Sequence, residues 1–213
     1  MHARNLVPLL FAALLMPGPT SVASADVPSG VFSEIDPCMV FCPAGELRFR
    51  VVVRTAGGSL VPFPRVALDF SRCRLFAHCP DIPAPLVVDE AARRISLVGD
   101  QQGVVNFAIP MSGVCPGDTV LIMAAKRQDT SYVQIGERTL ASPDRDGDLS
   151  VDAADQAAIQ ALVGTNDRTA DLDCNGVVDA TDLAIFAEHQ FHACPVLVPT
   201  RHQSWGGLKL IYR

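Results

Sequence analysis

Oxygen-bearing side chains recur in register in two segments of this 213-residue chain, residues 144–155 and residues 171–182, at an offset of 27 residues. Asp or Asn stands at positions 1, 3, 5, 9 and 12 of both segments. A hard divalent cation such as calcium takes about six to eight oxygen ligands at roughly 2.3–2.6 Å, and a tight loop of about 12 residues directs alternate side chains toward one centre. One such segment would also suit a solvated Asp/Gly turn, but two in register predict a pair of calcium sites.

Each predicted calcium site has five ligand residues. Position 7 supplies a backbone carbonyl, and the acid at position 12 closes the coordination shell with both of its oxygens. The predicted ligands are Asp144, Asp146, Asp148, Ser150 and Asp155 in the first loop, and Asp171, Asp173, Asn175, Val177 and Asp182 in the second. Valine fills position 8 of both loops, which predicts an apolar contact between them.

The turn at position 6 distinguishes the two loops. Gly176 stands there in the second loop, where a positive φ costs glycine little. Leu149 stands there in the first loop, and its glycine, Gly147, comes two residues earlier. A left-handed leucine costs about 1–2 kcal/mol. Either the first loop binds calcium more weakly, or its turn is displaced toward Gly147.

An amphipathic helix is predicted after each loop. The apolar residues at helical spacing are Ala154, Ala158, Ile159, Leu162 and Val163 after the first loop, and Leu183, Ile185, Phe186 and Ala187 after the second. Gly164 is expected to end the first helix. No helix is expected before the first loop, because residues 139–143 have the character of a linker and Pro143 opposes an incoming helix.

Two loop-plus-exit-helix units without entry helices resemble a type I dockerin module, over residues 142–194. The resemblance implies folding on calcium and docking onto a cohesin-like protein domain. It assigns partner recognition to loop positions 10 and 11, here Ala153, Ala154, Ala180 and Thr181. Many dockerins carry a Ser-Thr pair at these positions, and only Thr181 keeps a hydroxyl. This departure weakens the inference of a cohesin partner and leaves the calcium prediction unchanged.

Residues 27–140 have the alternating pattern of β-strands. Apolar residues alternate in 46–54, 66–70, 95–97, 105–109 and 120–124, with a further strand expected at 132–135, and Gly99 to Gly103 suggests a hairpin. The region resembles bacterial immunoglobulin-like domains of the invasin/intimin type, on residues 46–58, 64–70, 99–109 and 116–125. The predicted fold is mostly β: an immunoglobulin-like antiparallel β-sandwich followed by a small all-α pair of calcium loop–helix units.

The two ends of the chain are expected to lie outside these units. Residues 1–25 combine a short basic start, an apolar run and the small-residue motif Ala23-Ser24-Ala25, which predicts a cleaved signal peptide. The apolar run is too short to span a bilayer. We therefore expect a secreted protein, extracellular or at the surface of a bacterium. Residues 195–213 are predicted to be a linker and C-terminal tail, which is either a loosely packed end, a sorting signal or an added strand.

Seven cysteines in a small exported chain favour disulfides, with one thiol left unpaired or paired with another chain. Cys73 with Cys79 is the easiest local pair, and Cys174 with Cys194 would tie the second loop to the end of its helix. His189, His192 and Cys194 also suggest a transition-metal site, although the favoured alternative is a polar helix terminus.

Charge and motifs restrict the function. Residues 141–194 carry eleven acidic residues against Arg145 and Arg168, a net charge of −9, which makes nucleic acid and anionic membranes poor partners. The chain has no Gly-x-Ser-x-Gly, His-Glu-x-x-His or phosphate-loop motif. The predicted function is non-catalytic: a calcium-binding protein for extracellular protein–protein assembly. The alternatives are a small enzyme or enzyme subunit that a dockerin brings to polysaccharide, and a structural cell-surface protein.

Overall fold

The computed structural model describes residues 27–112, 115, 119–129 and 131–194. The predicted signal peptide, the C-terminal tail and residues 116–118 of the immunoglobulin-like resemblance lie outside the described residues. The described chain is mostly β, as predicted, with nine strands and two helices. Neither of these helices has the length and apolar character needed to cross a membrane.

The strands form two sheets. Three strands make the smaller sheet, in the order β1-β3-β7, and six make the larger, in the order β2-β9-β8-β4-β6-β5. Every pairing is antiparallel except that of β2 with β9, which is parallel. The strands are β1 Glu34–Ile35, β2 Met39–Val40, β3 Phe49–Val52, β4 Arg65–Asp69, β5 Val87–Asp89, β6 Arg94–Val98, β7 Val104–Phe107, β8 Thr119–Ala125 and β9 Val133–Ala141.

Both sheets contribute to one apolar core. In the larger sheet Leu68 lies between Ile95 and Ile122 on the neighbouring strands, and all three are fully buried. In the smaller sheet Phe49 is paired with Phe107 across β3 and β7. The alternation of apolar and polar residues that predicted these strands corresponds to this buried face.

The predicted hairpin around Gly99 to Gly103 is wrong. Strand β6 pairs with β4 and β5 in the larger sheet, whereas β7 pairs with β3 in the smaller sheet. The turn carries the chain from one sheet to the other, so that Ile95 and Val105 both enter the common core from different sides. Alternating apolar residues on both sides of a turn therefore produced a sheet-to-sheet corner in place of a ladder.

The predicted linker at residues 139–143 is also wrong. Strand β9 continues to Ala141, and residues 140–143 are buried. The parallel pairing of Met39 with Leu140 and of Val40 with Ala141 provides the reason, because β2 covers this end of β9. The larger sheet thus runs directly into the first acidic loop.

Both predicted helices are present: α1 at Ala153–Gln160 and α2 at Ala180–His189. Helix α1 ends before Leu162 and Val163, and Gly164 takes a positive φ of 85° in the turn that follows. Ile159 and Phe186 are the buried residues through which the helices join a second apolar core. That core also includes Val40 and Ala141 from the larger sheet.

Three disulfides connect the chain: Cys38–Cys174, Cys73–Cys115 and Cys79–Cys194. The predicted pairs Cys73–Cys79 and Cys174–Cys194 are wrong. Cys73 follows β4 and Cys115 precedes β8, and these strands are neighbours in the sheet. Of the other two bonds, one joins the second loop to the β region and the other joins the segment after α2 to it, so nearness in sequence was a poor guide to the pairing. Cys42 is the free cysteine and is buried.

Candidate calcium loops

The two acidic segments, called the first loop (residues 144–155) and the second loop (residues 171–182), share one hydrogen-bond pattern. The position-1 carboxylates of both loops accept backbone N–H groups from the turn. Asp144 accepts from Gly147 and Leu149 at 2.8 and 3.0 Å. Asp171 accepts from Asn175 and Gly176 at 3.1 and 2.8 Å. Each carboxylate is thus fixed inside its loop.

The position-12 carboxylates close the loops from the other side. One oxygen of Asp182 accepts the N–H groups of Leu172 and Asp173 at 2.6 and 3.2 Å, and the other accepts from Asp179 at 2.7 Å. Asp155 makes the equivalent contacts in the first loop. In these position-12 contacts, residues 27 positions apart make the same bonds, so the two loops close in the same way.

Position 9 of each loop begins the following helix. The side chain of Asp152 accepts the N–H of Ala154 at 2.7 Å and caps α1. Asp179 accepts the N–H of Thr181 at 2.7 Å and caps α2. Asp at an N-cap satisfies an otherwise unpaired helix donor. The loops and helices are therefore single units, in which position 9 serves the helix.

The turn of the first loop is not displaced toward Gly147. Gly147 and Leu149 have φ values of 79° and 70°, and Cys174 and Gly176, the equivalent residues of the second loop, have 58° and 98°. Both loops thus need left-handed backbone at positions 4 and 6. Each has glycine at one of these positions and a residue with a side chain at the other. The backbone penalty expected for Leu149 alone is matched by one at Cys174.

The position-8 valines connect the two units by an exchange. Val151 donates to the carbonyl of His192 and accepts from the N–H of Phe191, both at 2.7 Å, after α2. Val178 donates to Thr165 and accepts from Gly164, at 2.9 and 2.8 Å, after α1. Each loop therefore binds the chain segment that follows the helix of the other loop. Both valines are fully buried in the second apolar core.

Carboxylates converge in both loops. Ligand oxygens of Asp144, Asp146 and Asp148 lie within 4.8 Å of one another in the first loop, as do those of Asp171, Asp173 and Asp182 in the second. In each loop the position-5 side chain accepts the N–H of position 7, from Ser150 to Asp148 and from Val177 to Asn175. Of the ten predicted ligand residues, three in each loop therefore converge, and Asp155 does not join the group of the first loop as Asp182 does that of the second.

These carboxylates are costly to ionise without a cation. Burial raises the pKa of Asp144 to about 6, and the neighbouring Asp155 adds to the increase. Burial also raises the pKa of Asp171, with contributions from Asp173 and Asp182. Buried like charges at this spacing disfavour the ionised state. A bound cation would remove this cost.

Arg145, at position 2 of the first loop, interacts electrostatically with Asp155 and Asp144. Its guanidinium nevertheless donates its hydrogen bonds to Thr169, to the backbone carbonyl and, at 2.8 Å, to the hydroxyl. The equivalent residue of the second loop is Leu172, which is buried. The sequence analysis did not identify this contact, and no local motif indicates it, because Thr169 lies between the two repeats.

The predicted recognition residues Ala153, Ala154, Ala180 and Thr181 are all exposed in the first turns of α1 and α2. By contrast, the proposed grouping of His189, His192 and Cys194 is not formed as predicted. Cys194 is bonded to Cys79 and has no free thiol. His189 and His192 instead approach Cys42 and Glu46, a pair of residues that the sequence analysis did not consider.

The donor set of the loops suits a hard cation. It consists of carboxylates, one amide and backbone carbonyls, without sulfur or imidazole, which is the chemistry that calcium prefers. Buried acids with raised pKa values fit this cation better than they fit a metal-free solvated turn. Searches against protein-family models, curated proteins and solved structures find no match to this chain.

Proposed function

We propose that the protein is a secreted, non-catalytic calcium-binding protein that mediates extracellular protein–protein assembly through its paired loop–helix units. The observation that carries this proposal is the repeat of one hydrogen-bonded acidic loop at a 27-residue offset, with three carboxylates converging in each copy. Calcium binds at both loops, with Asp144, Asp146, Asp148, Ser150 and Asp155 as the ligand residues of one site and Asp171, Asp173, Asn175, Val177 and Asp182 as those of the other.

Calcium binding in this proposal orders the helices. The cation neutralises the position-1, -3 and -5 side chains, while position 9 caps the helix and position 12 belongs to its first turn. The free energy of calcium binding therefore contributes directly to the folding of the loops and their helices. The exchange of Val151 and Val178 between units transmits the order of one loop to the end of the other helix.

The partner is a protein domain of the cohesin kind that contacts the first turns of both helices. Support comes from the exposure of Ala153, Ala154, Ala180 and Thr181 directly after the calcium ligands. Because α1 and α2 are related by the repeat, these residues present two similar surfaces. Small side chains at three of the four positions suit close approach of a partner backbone.

Export and an extracellular location are supported by three disulfides among seven cysteines. Disulfides persist in oxidising compartments and are rare in the cytosol. Two of them, Cys38–Cys174 and Cys79–Cys194, fasten the acidic region to the β region. They also favour a second candidate, a structural cell-surface protein in which calcium stiffens the molecule and no partner binds.

A binding assay distinguishes these candidates. The full oxidised chain is immobilised, and soluble extracellular proteins of the source bacterium, including any cohesin domains it encodes, are passed over it with calcium or with chelator. Assembly predicts calcium-dependent capture of a defined protein that Thr181→Asp and Ala154→Asp together abolish. Exposed Ala187→Asp, near the C-terminal end of α2 and away from the first turns, is the matched control and should leave capture intact. Calcium binding without any calcium-dependent capture would favour the structural candidate.

A further inference from the structure

Four metal-ligating side chains meet between the β region and the end of α2. Ligand atoms of Cys42, Glu46, His189 and His192 all lie within 4.8 Å of one another. The Nδ1 atoms of His189 and His192 are 2.8 and 2.5 Å from the same Glu46 oxygen, Oε1. The two Nδ1 atoms are 3.4 Å apart. This group shares no residue with the calcium loops.

The spacing of the two imidazole nitrogens matches a tetrahedral metal. Zinc binds imidazole nitrogen at about 2.0–2.1 Å, which places two nitrogen ligands of a tetrahedron about 3.3–3.4 Å apart. The Nδ1 atoms of His189 and His192 have this separation. Glu46 Oε1 is closer to both nitrogens than a tetrahedron requires, because it serves as the hydrogen-bond acceptor between them. The Glu46 side chain is 41% exposed, so it has room to move outward when a cation enters between the imidazoles.

The backbone around the four residues is well anchored. On one side Gly45 donates to the carbonyl of Cys42 at 3.0 Å with a φ of 75°, and an added Cβ on Gly45 would meet Pro110 at 3.1 Å. On the other side the backbone N–H of His192 donates to the carbonyl of His189 at 3.1 Å, and the carbonyl of His192 accepts from the N–H of Val151. Both halves of the group are therefore held before any metal arrives, which lowers the entropy cost of binding.

Cys42 is the one cysteine of the seven that remains a thiol. A buried thiol beside a carboxylate and two imidazoles is poorly explained as core packing alone. A divalent cation bound by one thiolate, one carboxylate and two neutral imidazoles forms a site with no net charge. The C-terminal end of α2 also favours a cation at this place.

We propose that Cys42, Glu46, His189 and His192 form a zinc site that cross-links the turn at residues 42–46 and the C-terminal end of α2. Four protein ligands leave no open position, so the site is structural. It lies at the opposite end of α2 from the second loop. The proposal does not depend on calcium binding, since it uses different ligand atoms and a softer donor set.

The test is a cobalt titration of the full oxidised chain, stripped of metal, under anaerobic conditions without reductant and in saturating calcium. Cobalt replaces zinc in tetrahedral sites and reports a thiolate ligand by an intense charge-transfer band. One cobalt per chain with this band, displaced by one equivalent of zinc, is the expected result. Cobalt binding without the thiolate band, or no binding, would overturn the proposal.

Variants locate the site. Cys42→Ser should abolish the charge-transfer band. His192→Gln should lower the zinc affinity by at least roughly 10–100-fold, the loss that follows removal of an outer-shell partner. His192 is partly exposed, so this variant is expected to fold even if replacement of buried Cys42 disturbs the core. His78→Gln is the matched control, because His78 pairs with Glu90 at 2.7 Å outside the group. Equal zinc affinity in His192→Gln and His78→Gln would contradict the assignment.

Discussion

The protein buries carboxylates in the larger sheet and in the acidic loops, and their pKa values are shifted in opposite directions. Asp69 in β4 is 3% exposed and accepts hydrogen bonds from Ser71 at 2.9 Å and from Arg94 at 2.7 Å. Burial acts to raise the pKa of Asp69, but the bonds from Ser71 and Arg94 outweigh it and hold the pKa below its usual value. Asp144 and Asp171, equally buried in the loops, have raised pKa values.

The difference is the source of positive charge. Among the described residues, arginines form ion pairs with Glu34, Asp69 and Glu137, and none of these pairs includes a loop carboxylate. Burial of an ionised group is tolerated only when the charge is paired or bound to a metal. The sheet carries its own cation beside Asp69, whereas our proposal assigns that role in the loops to calcium from solution.

The largest expected effect follows from removing that cation. At free calcium of about 100 times the Kd, each site stabilises the fold by about 2.7 kcal/mol, so two sites contribute about 5 kcal/mol. Chelation should lower the free energy of unfolding of the full chain by this amount, because the loops share a core with the sheet. Denaturant unfolding with calcium, with magnesium and with chelator measures it. Equal stability in all three would contradict the comparison.

Neutralising one carboxylate in each region should give effects of opposite sign in metal-free protein. Asp171→Asn removes a buried like charge, so we expect slightly higher metal-free stability and a calcium affinity lower by about tenfold or more at the second site. Asp69→Asn leaves Arg94 without its partner, so stability should fall by about 1–2 kcal/mol with or without calcium. Paired unfolding and calcium titrations of both variants decide this. Loss of calcium binding in Asp69→Asn would count against the separation of the two regions.

The contribution of Asp69 to stability should depend on pH. Its folded-state pKa lies below the ordinary value of 3.8, so its contribution to stability is complete above that value and is lost as the pH falls through the folded-state pKa. The stability difference between the wild-type chain and Asp69→Asn should therefore be constant above about pH 5 and shrink in acid. Unfolding curves from pH 7 to pH 3 in saturating calcium measure this difference. A stability difference that grows as the pH falls would contradict the lowered pKa of Asp69.

The smallest effects concern the left-handed positions of the loops. No atom lies within 4 Å of a Cβ added to Gly176, so Gly176→Ala introduces backbone strain alone and should cost about 1–2 kcal/mol. Leu149→Gly, at a φ of 70°, should relieve strain and stabilise the calcium-bound first loop by up to about 1 kcal/mol. Calcium-saturated unfolding compares the two. Destabilisation by both variants to the same extent would show that side-chain contacts outweigh the backbone at Leu149.

Features set by local sequence were predictable. Alternating residues such as Val120, Ile122 and Ala124 identified a strand, since burial on one face of a sheet repeats every second residue. The spacing of Asp and Asn placed the loops, because their hydrogen bonds join residues at most ten positions apart. The left-handed turn at Leu149 was harder to predict, because leucine disfavours the positive φ that the loop requires there.

Long-range features could not be predicted. Cys38 bonds to Cys174 across 136 residues, and Cys42 meets His189 only because β2 runs beside the end of β9. No periodicity joins residues so distant in the chain. The end of β9 was taken for a linker for the same reason, since its partner β2 has only two residues, Met39 and Val40, and little pattern of its own.

Isothermal titration of calcium into the full oxidised chain tests whether the two acidic loops bind calcium. We expect two calcium ions per chain, both bound with dissociation constants below 1 mM, as expected at the weaker end for such loops, about 10⁻⁴–10⁻³ M. Asp144→Asn and Asp171→Asn should each weaken one site and spare the other. Absence of binding below millimolar calcium would contradict the account, as would binding that survives both substitutions together.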